Sequence, residues 1–273
     1  MLDTQHPLLV IGGGNMAQAM ISGWLNSGFI TAEALCVVDR HPECIEAMQK
    51  QWGFAVADAM DAFKDRAFAM VMLAVKPQIV SQVLPELTEH FASANPLITS
   101  VAAGVPIAVY EKGSWPDAAV CRIMPNTPAA VGEGMSMAAY NAHCTEAHKS
   151  LVQSACESFG AYTQVDEDDL HTGTAVAGSG PAYIFYLMEQ LISCAMSEGL
   201  DEAQARLLVT QTVKGAASFA QASDLPISQL RKNVTSPNGT TQAGLEQLMC
   251  ADLEQILQRT IRAAKTRSEE LAA

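Results

Sequence analysis

The chain has 273 residues, with 16 Lys and Arg against 29 Asp and Glu, a net charge of -13 and 49% hydrophobic residues. That length holds one large domain or two modest ones, and the apolar share supports a sizeable core and excludes wholesale disorder. The acidic balance argues against nucleic acid and anionic lipid as partners.

Compact apolar runs at Leu8–Ile11, Leu35–Val38, Ala69–Val75, Leu97–Val101 and Val120–Met124 read as strands. Between them Met16–Ser27, Glu43–Gln51 and Val80–Phe91 have helix-forming composition, with Pro85 the one internal proline. Strands alternating with crossover helices predict βαβ units and a parallel sheet covered on both faces. Gly104-Val105-Pro106 and Gly113–Pro116 mark connections, and Met135–Tyr140 and Tyr162–Val165 read as further strands. Beyond about Asp166 the texture changes. Ala182–Glu198, Asp201–Ala222 and Thr240–Glu270 predict long helices, broken by Gly199, Leu225-Pro226 and Thr235–Gly239. The expected domains are therefore residues 1–165 (α/β) and 166–273 (all-α), with no internal repeat or disordered linker between them.

Seven scattered cysteines without a CxxC pair suit a reducing compartment rather than a disulfide framework. The opening MLDTQHPLLVIGGG has no basic stretch or signal-length apolar core, and no apolar run approaches the ~20 residues a membrane helix needs. A cytoplasmic chain without membrane partners is the expectation.

The clearest local signal is Gly12-x-Gly14-x-x-Ala17 directly after the first strand. Gly12 permits a tight turn, Gly14 lets backbone approach a pyrophosphate, and Ala17 allows close helix–strand packing. A helix starting near Asn15 offers free N–H groups to phosphates. Such a turn can merely join a strand to a helix. Here, however, it opens a βαβ pattern and is followed by Asp39 at the end of the second strand, which favours dinucleotide binding. Asp39 suits a ribose diol and repels a 2′-phosphate, whereas Arg40 can pair with that phosphate. The two leave NADH and NADPH both open.

Five further segments resemble the pyrroline-5-carboxylate reductase family: Ala74-Val75-Lys76-Pro77, Ser100–Gly104, Arg122–Pro128, Gly178–Tyr183 and Asn233–Thr241. With the opening glycines they run from residue 8 to about residue 248. The resemblance implies an α/β fold class, with an N-terminal Rossmann-type doubly wound sheet followed by an all-α C-terminal dimerisation domain. It implies a homodimer, or a larger assembly of dimers, that reduces 1-pyrroline-5-carboxylate to L-proline. Carried over by position, Ile11, Gly12, Gly13, Gly14, Asn15 and Met16 hold the pyrophosphate. Ala74, Val75, Lys76 and Pro77, with Val101, Ala102 and Ala103, line the nicotinamide end. Lys76 lies between a buried strand and Pro77, which favours a site role over a free surface lysine. Asn126 is expected either to touch cofactor or to close an Asx-turn. Family members often hold the adenosine phosphate with a polar side chain some way past the second strand. This chain offers Ala59-Met60-Asp61 nearby, and that contact does not transfer. NADPH is the expected reductant, with NADH the alternative.

The substrate end is expected at Ser236–Thr241, where a turn leads into a helix beginning near Thr240. The free N–H groups of Gly239, Thr240 and Thr241 would face the substrate carboxylate. The resemblance places the Thr241 hydroxyl near the ring nitrogen, making it the catalytic candidate, with Ser236, Asn233 and Glu167 as further substrate contacts. An ordinary N-cap accounts for Ser236 or Thr240 but not for the whole segment. Glu167 lies in an acidic run, Asp166–Asp169, that also reads as a solvated loop. The family usually has two glycines where this chain has Asn238-Gly239, and Asn tolerates the left-handed backbone best after glycine. No metal is expected, since His143, Cys144 and His148 read as a surface turn and helix start.

A β-hydroxyacid dehydrogenase needs a Lys with an Asn one turn on in the first long helix of the second domain, and Ala182–Glu198 contains neither. A dinucleotide-sensing regulator needs a recognition helix or partner domain, which no segment provides.

Overall fold

The computed structural model describes residues 2–113, 115 and 117–272. Its chain divides into two compact units, Met1–Ser179 with Ala263–Ala273, and Gly180–Arg262.

The first unit is built on eight strands: β1 (Leu8–Ile11), β2 (Leu35–Val38), β3 (Ala55–Ala57), β4 (Met70–Leu73), β5 (Leu97–Ser100), β6 (Val120–Met124), β7 (Gly134–Tyr140) and β8 (Gly160–Gln164). They form one sheet in the order β3-β2-β1-β4-β5-β6-β7-β8. The pairs from β3 through β6 are parallel, β6–β7 is antiparallel and β7–β8 is parallel again. The order reverses between β1 and β4, the switch point of a doubly wound sheet.

β1, β2, β4 and β5 are buried along their whole length. Period-two alternation divides β1, β2 and β4 between two cores. Leu8, Val10, Leu35, Val37, Met70 and Met72 enter one, while Leu9, Ile11, Cys36, Val38, Val71 and Leu73 enter the other. Six helices cover the faces: α1 (Asn15–Ser27), α2 (Glu46–Trp52), α3 (Pro77–Phe91), α4 (Ile107–Gly113), α5 (Glu146–Glu157) and α6 (Asp169–Gly173). Trp24 of α1 is 1% exposed and donates its indole N–H to Ala155 O of α5 at 2.9 Å, so two helices of one face are pinned together.

Several boundaries differ from expectation for local reasons. α3 begins at Pro77 rather than Val80, because proline at the first helical position loses no intrahelical bond. β3, three partly exposed residues, is too short for its pattern to stand out, and of α5 the sequence shows only a helix start near His148. The Thr145–His148 capping box that opens α5 uses the His148 ring as an acceptor for Thr145 N at 3.3 Å. The connection expected at Gly113–Pro116 partly lies outside the described residues, since Ser114 and Pro116 are not among them.

Past β8 the helices come as expected, but the first of them belong to the sheet unit. Leu170 and Ala175 are buried there, and a π-helical turn at Thr174–Gly178 follows α6. The second unit comprises α7 (Gly180–Ser197), α8 (Glu202–Gln221), α9 (Ile227–Asn233) and α10 (Thr240–Cys250), with the start of α11 (Leu253–Glu270). One long helix was expected over Thr240–Glu270. Asp252, with φ 54°, breaks it between α10 and α11. No helix among the described residues is long and apolar enough to cross a membrane.

Candidate active site

The glycine turn joins the C-terminal end of β1 to α1. Ile11 O accepts from Ala74 N at 2.8 Å, Gly12 N donates to Val38 O at 2.7 Å, and Val101 N donates to Leu73 O at 3.0 Å. These bonds bring Ile11–Met16, Asp39–Arg40, Ala74–Pro77 and Val101–Ala103 to one edge of the sheet, beyond its carboxyl ends. Gly12 has φ 105°, and a Cβ there would stand 2.6 Å from Ala74 O, so only glycine lets the two strand ends approach this closely. At Gly14 a Cβ would meet nothing within 4 Å, which leaves the approach to α1 open.

Gly14 caps α1 without a side-chain hydrogen bond, and the first turn carries no acidic residue. The helix therefore presents unsatisfied N–H groups and a positive terminus to an anion. Gln18 braces the turn from below, its amide donating to Gly13 O at 2.7 Å and Cys44 O at 3.0 Å. A pyrophosphate fits this cradle.

Asp39 turns inward. One carboxylate oxygen accepts from Gly13 N at 2.5 Å and the other from His41 N at 2.8 Å. The acidic residue thus fastens the glycine turn to the end of β2. Arg40 is exposed, and Lys76 is exposed at the N-cap of α3, where Lys76 O accepts from Ile79 N. Neither has an ion-pair partner among the described residues.

The loop after β5 is held at both ends. Ser100 Oγ accepts from Ala102 N at 3.2 Å and shares a 2.6 Å hydrogen bond with the Tyr110 hydroxyl. Burial pushes the Tyr110 phenol up to about 12. Glu167 is not in a solvated loop, because Oε1 accepts from Arg122 Nη1 at 2.6 Å and from Ile107 N at 2.7 Å. Asn126 does not close an Asx-turn. Its amide oxygen accepts from Met135 N at 2.9 Å and its amide nitrogen donates to Ala177 O at 3.0 Å, tying β7 to the π-helical turn. Two backbone groups far apart in sequence capture the side chain, and no local pattern signals such a staple.

Within the second unit, Asn233–Thr241 links α9 to α10. Asn238 adopts φ 59°, and its N–H donates to Gln242 Oε1 at 2.8 Å. The expected free N–H at Gly239 is a correction: it donates to Ser236 O at 3.1 Å and closes the turn. The free donors are shifted one residue on, to Thr240 and Thr241, which have no hydrogen-bond partner for backbone N–H or hydroxyl among the described residues. A Cβ on Gly239 would press on Ser236 Oγ, a hydroxyl that can rotate away, and would stand 3.1 Å from Ser236 O, so the turn is tight there. Thr241 is exposed, as is Asn233, whose side-chain oxygen accepts from Gln229 Nε2 at 2.8 Å. A groove of 510 Å³ lined by His6, Phe68, Asn95 and His148 lies at the opposite edge from the glycine turn. Ligands of doubly wound sheets do not bind at that edge.

Strand order and the open glycine turn together make the first unit a dinucleotide-binding domain of the oxidoreductase type. Residues 7–104 match the family model described as NADP oxidoreductase, coenzyme F420-dependent, and residues 167–271 match that for pyrroline-5-carboxylate reductase dimerisation. The chain is 38% identical over 274 residues to a pyrroline-5-carboxylate reductase of Pasteurella multocida, covering 96% of each. It is 33% identical over 267 residues to that of Staphylococcus saprophyticus, covering 97% of this chain and 98% of the relative. A solved pyrroline-5-carboxylate reductase from Coxiella burnetii superposes with a TM-score of 0.91 at 32% identity, covering 98% of this chain and 99% of that one. A Plasmodium falciparum pyrroline carboxylate reductase with NADP bound superposes at 0.88 and 27% identity, with 99% of each chain covered. The chain belongs to the pyrroline-5-carboxylate reductase family.

Proposed function

We propose that the protein reduces the C=N bond of 1-pyrroline-5-carboxylate with NADPH, or with NADH, to give L-proline, the last step of proline biosynthesis. The observation that carries this reading is the bare N-terminus of α1 beside an open Gly14, at the sheet edge that also gathers Asp39, Ala74–Pro77 and Val101–Ala103. Ile11–Met16 hold the pyrophosphate by backbone N–H groups, and Asp39 and Arg40 meet the adenosine ribose. Ala74–Pro77 and Val101–Ala103 bound the nicotinamide. When bound, the reduced nicotinamide supplies the two electrons and the hydrogen that the ring carbon gains.

The residues of Ser236–Thr241 then have two tasks. The N–H groups of Thr240 and Thr241 sit at the positive end of α10, whose first turn holds no acidic residue, and receive the substrate carboxylate. The Thr241 hydroxyl holds the proton at the ring nitrogen. Ser236, Gly239 and Asn233 shape the turn around it. A protonated imine is already electrophilic, so orientation and fixed dipoles supply the rate rather than a strong base. The protein acts in the cytoplasm as a homo-oligomer built from dimers.

The direct test is to mix the full chain with racemic pyrroline-5-carboxylate and NADPH, then NADH, and follow loss of reduced-nicotinamide absorbance. Turnover with proline as product is expected, faster with NADPH. Binding of dinucleotide without turnover in either mixture would turn the reading toward a non-catalytic dinucleotide sensor.

A further inference from the structure

We infer that the Arg122–Glu167 ion pair is a positioning device for the loop Val101–Pro106, and that Glu167 acts through this loop rather than by touching substrate. The inference rests on the reading above that this loop bounds the nicotinamide.

Arg122 lies on β6 with its side chain 8% exposed, and Glu167, 33% exposed, supplies its counter-charge at 2.6 Å. The same carboxylate oxygen accepts from Ile107 N, the residue directly after Pro106. The far side of the loop is fastened by Ser100 Oγ, which accepts from Ala102 N and bonds the hydroxyl of Tyr110. Tyr110 is fully buried and belongs to α4, the helix that Ile107 opens. One short helix therefore carries both anchors, one at each end of the loop. Gly104, between them, has φ 79°, and a Cβ there would stand 3.0 Å from the backbone and Cβ of Leu271. The end of α11 thus backs the loop, held by a 2.9 Å hydrogen bond between Ser268 Oγ and His171 Nδ1, four residues past Glu167.

An exposed ion pair holds nothing firmly, because solvent screens it and two long side chains must be ordered. A buried guanidinium is different: without its carboxylate it is an uncompensated charge, so the pair has one stable arrangement. Transmitting that arrangement to Ile107 N fixes where Val101–Ala103 stand. A displacement of about 1 Å at a reacting centre costs on the order of a hundredfold in rate.

Arg122→Met, Glu167→Gln, Glu167→Met and the double variant Arg122→Met/Glu167→Met are compared as full chains. The readouts are kcat, both KM values, the affinity of the adenosine fragment 2′-phospho-ADP-ribose, and the fluorescence of bound NADPH. Each single variant is expected to lower kcat about 10- to 100-fold. KM for the imine and fragment affinity should stay within about threefold, while the change in nicotinamide fluorescence on binding is lost. The double variant is expected to be no worse than the worse single one, because the two residues act as one unit. Should Arg122→Met not fold, Arg122→Lys, which keeps the charge but loses the planar fork, is read in the same way. A raised imine KM in Glu167→Gln alone would overturn the inference in favour of direct substrate contact. Lowered melting with kcat unchanged per folded molecule would overturn it in favour of plain stability. Should the natural chain itself fail to turn over, the reading of its activity falls, and the fluorescence of bound NADPH alone decides whether the pair positions the loop.

Discussion

Among single residues, Thr241 and Asp39 carry the sharpest tests of the proposed function. Thr241 stands in the first turn of α10 with its hydroxyl uncommitted. Thr241→Ala is expected to lower kcat/KM by about one to three decades, the usual cost of a lost polar contact in the transition state. Steady-state kinetics check this, and unchanged kcat/KM would remove Thr241 from the mechanism. Asp39 spends both oxygens on Gly13 N and His41 N and stands directly after β2, where the proposed ribose site lies. Asp39→Asn is expected to raise the NADPH-to-NADH ratio of kcat/KM about tenfold, by removing one like-charge contact with a 2′-phosphate. A ratio that stays put would show that Arg40 or the turn, not this charge, sets the choice. Asp39 stands out by its spacing after the glycine turn, and Thr241 is a candidate through the resemblance of Asn233–Thr241. That Asp39 is also a bolt on the glycine turn was not legible, because Gly13 and Asp39 meet only when β1 and β2 pair.

Among the elements, the staple at Asn126 and the short helix α4 carry the most consequence. Asn126 is 8% exposed and satisfies Met135 N and Ala177 O, so Asn126→Ala leaves two inner backbone groups unpaired. A loss of about 2 kcal/mol is expected in denaturant unfolding, within the range for buried unsatisfied groups. A loss under about 0.5 kcal/mol would mean that water replaces the amide, as at an ordinary surface site. In α4, burial pushes the Tyr110 phenol up to about 12 from its ordinary 10.0. The folded state then holds this proton more tightly than the unfolded chain. The share of stability due to Tyr110 is therefore intact below about pH 10 and is lost as pH rises toward 12, by about 1.4 kcal/mol per unit. Burial also pushes the Cys156 thiol from 9.0 up to about 12, so the decline begins nearer pH 9. Denaturant midpoints from pH 8 to 12 check this, with Tyr110→Phe expected to flatten the upper part. An unaltered slope in that variant would place the loss elsewhere. Strand positions were readable because buried parallel strands are short apolar runs between turns. The break at Asp252 was not, since the residues on both sides keep helical composition.

For the whole molecule, the second unit poses the main question of stability. Among its described residues Ala205 and Leu230 are the buried apolar ones, while Phe185, Leu187, Leu191, Leu207 and Leu208 remain exposed. An apolar surface of this size on helices is covered in a stable protein, and the match to a dimerisation family accords with covering by a second copy. Phe185, 62% exposed, is a sensitive probe. Phe185→Asp is expected to halve the mass seen by light scattering or to lower the melting temperature by several degrees, as burial of a charge would. An unchanged mass and melting temperature would show that this face does not join subunits.

The amino-acid sequence by itself determined the doubly wound sheet, the helical second half, the glycine turn and the family. Sheet and helices are written in compact apolar runs and turn residues, the glycine turn in a fingerprint within one βαβ unit, and the family in motifs spread from residue 8 to about residue 248. Tertiary structure alone decided the partners of Glu167, Asn126 and Asp39, and which N–H groups stay free at the mouth of α10. The partners of Glu167 and Asn126 and the Gly13–Asp39 bond join residues 9 to 60 apart, set by strand register and chain turns, whereas the free N–H groups of α10 follow from a three-residue turn, Gly239 N to Ser236 O, whose closure composition alone does not show.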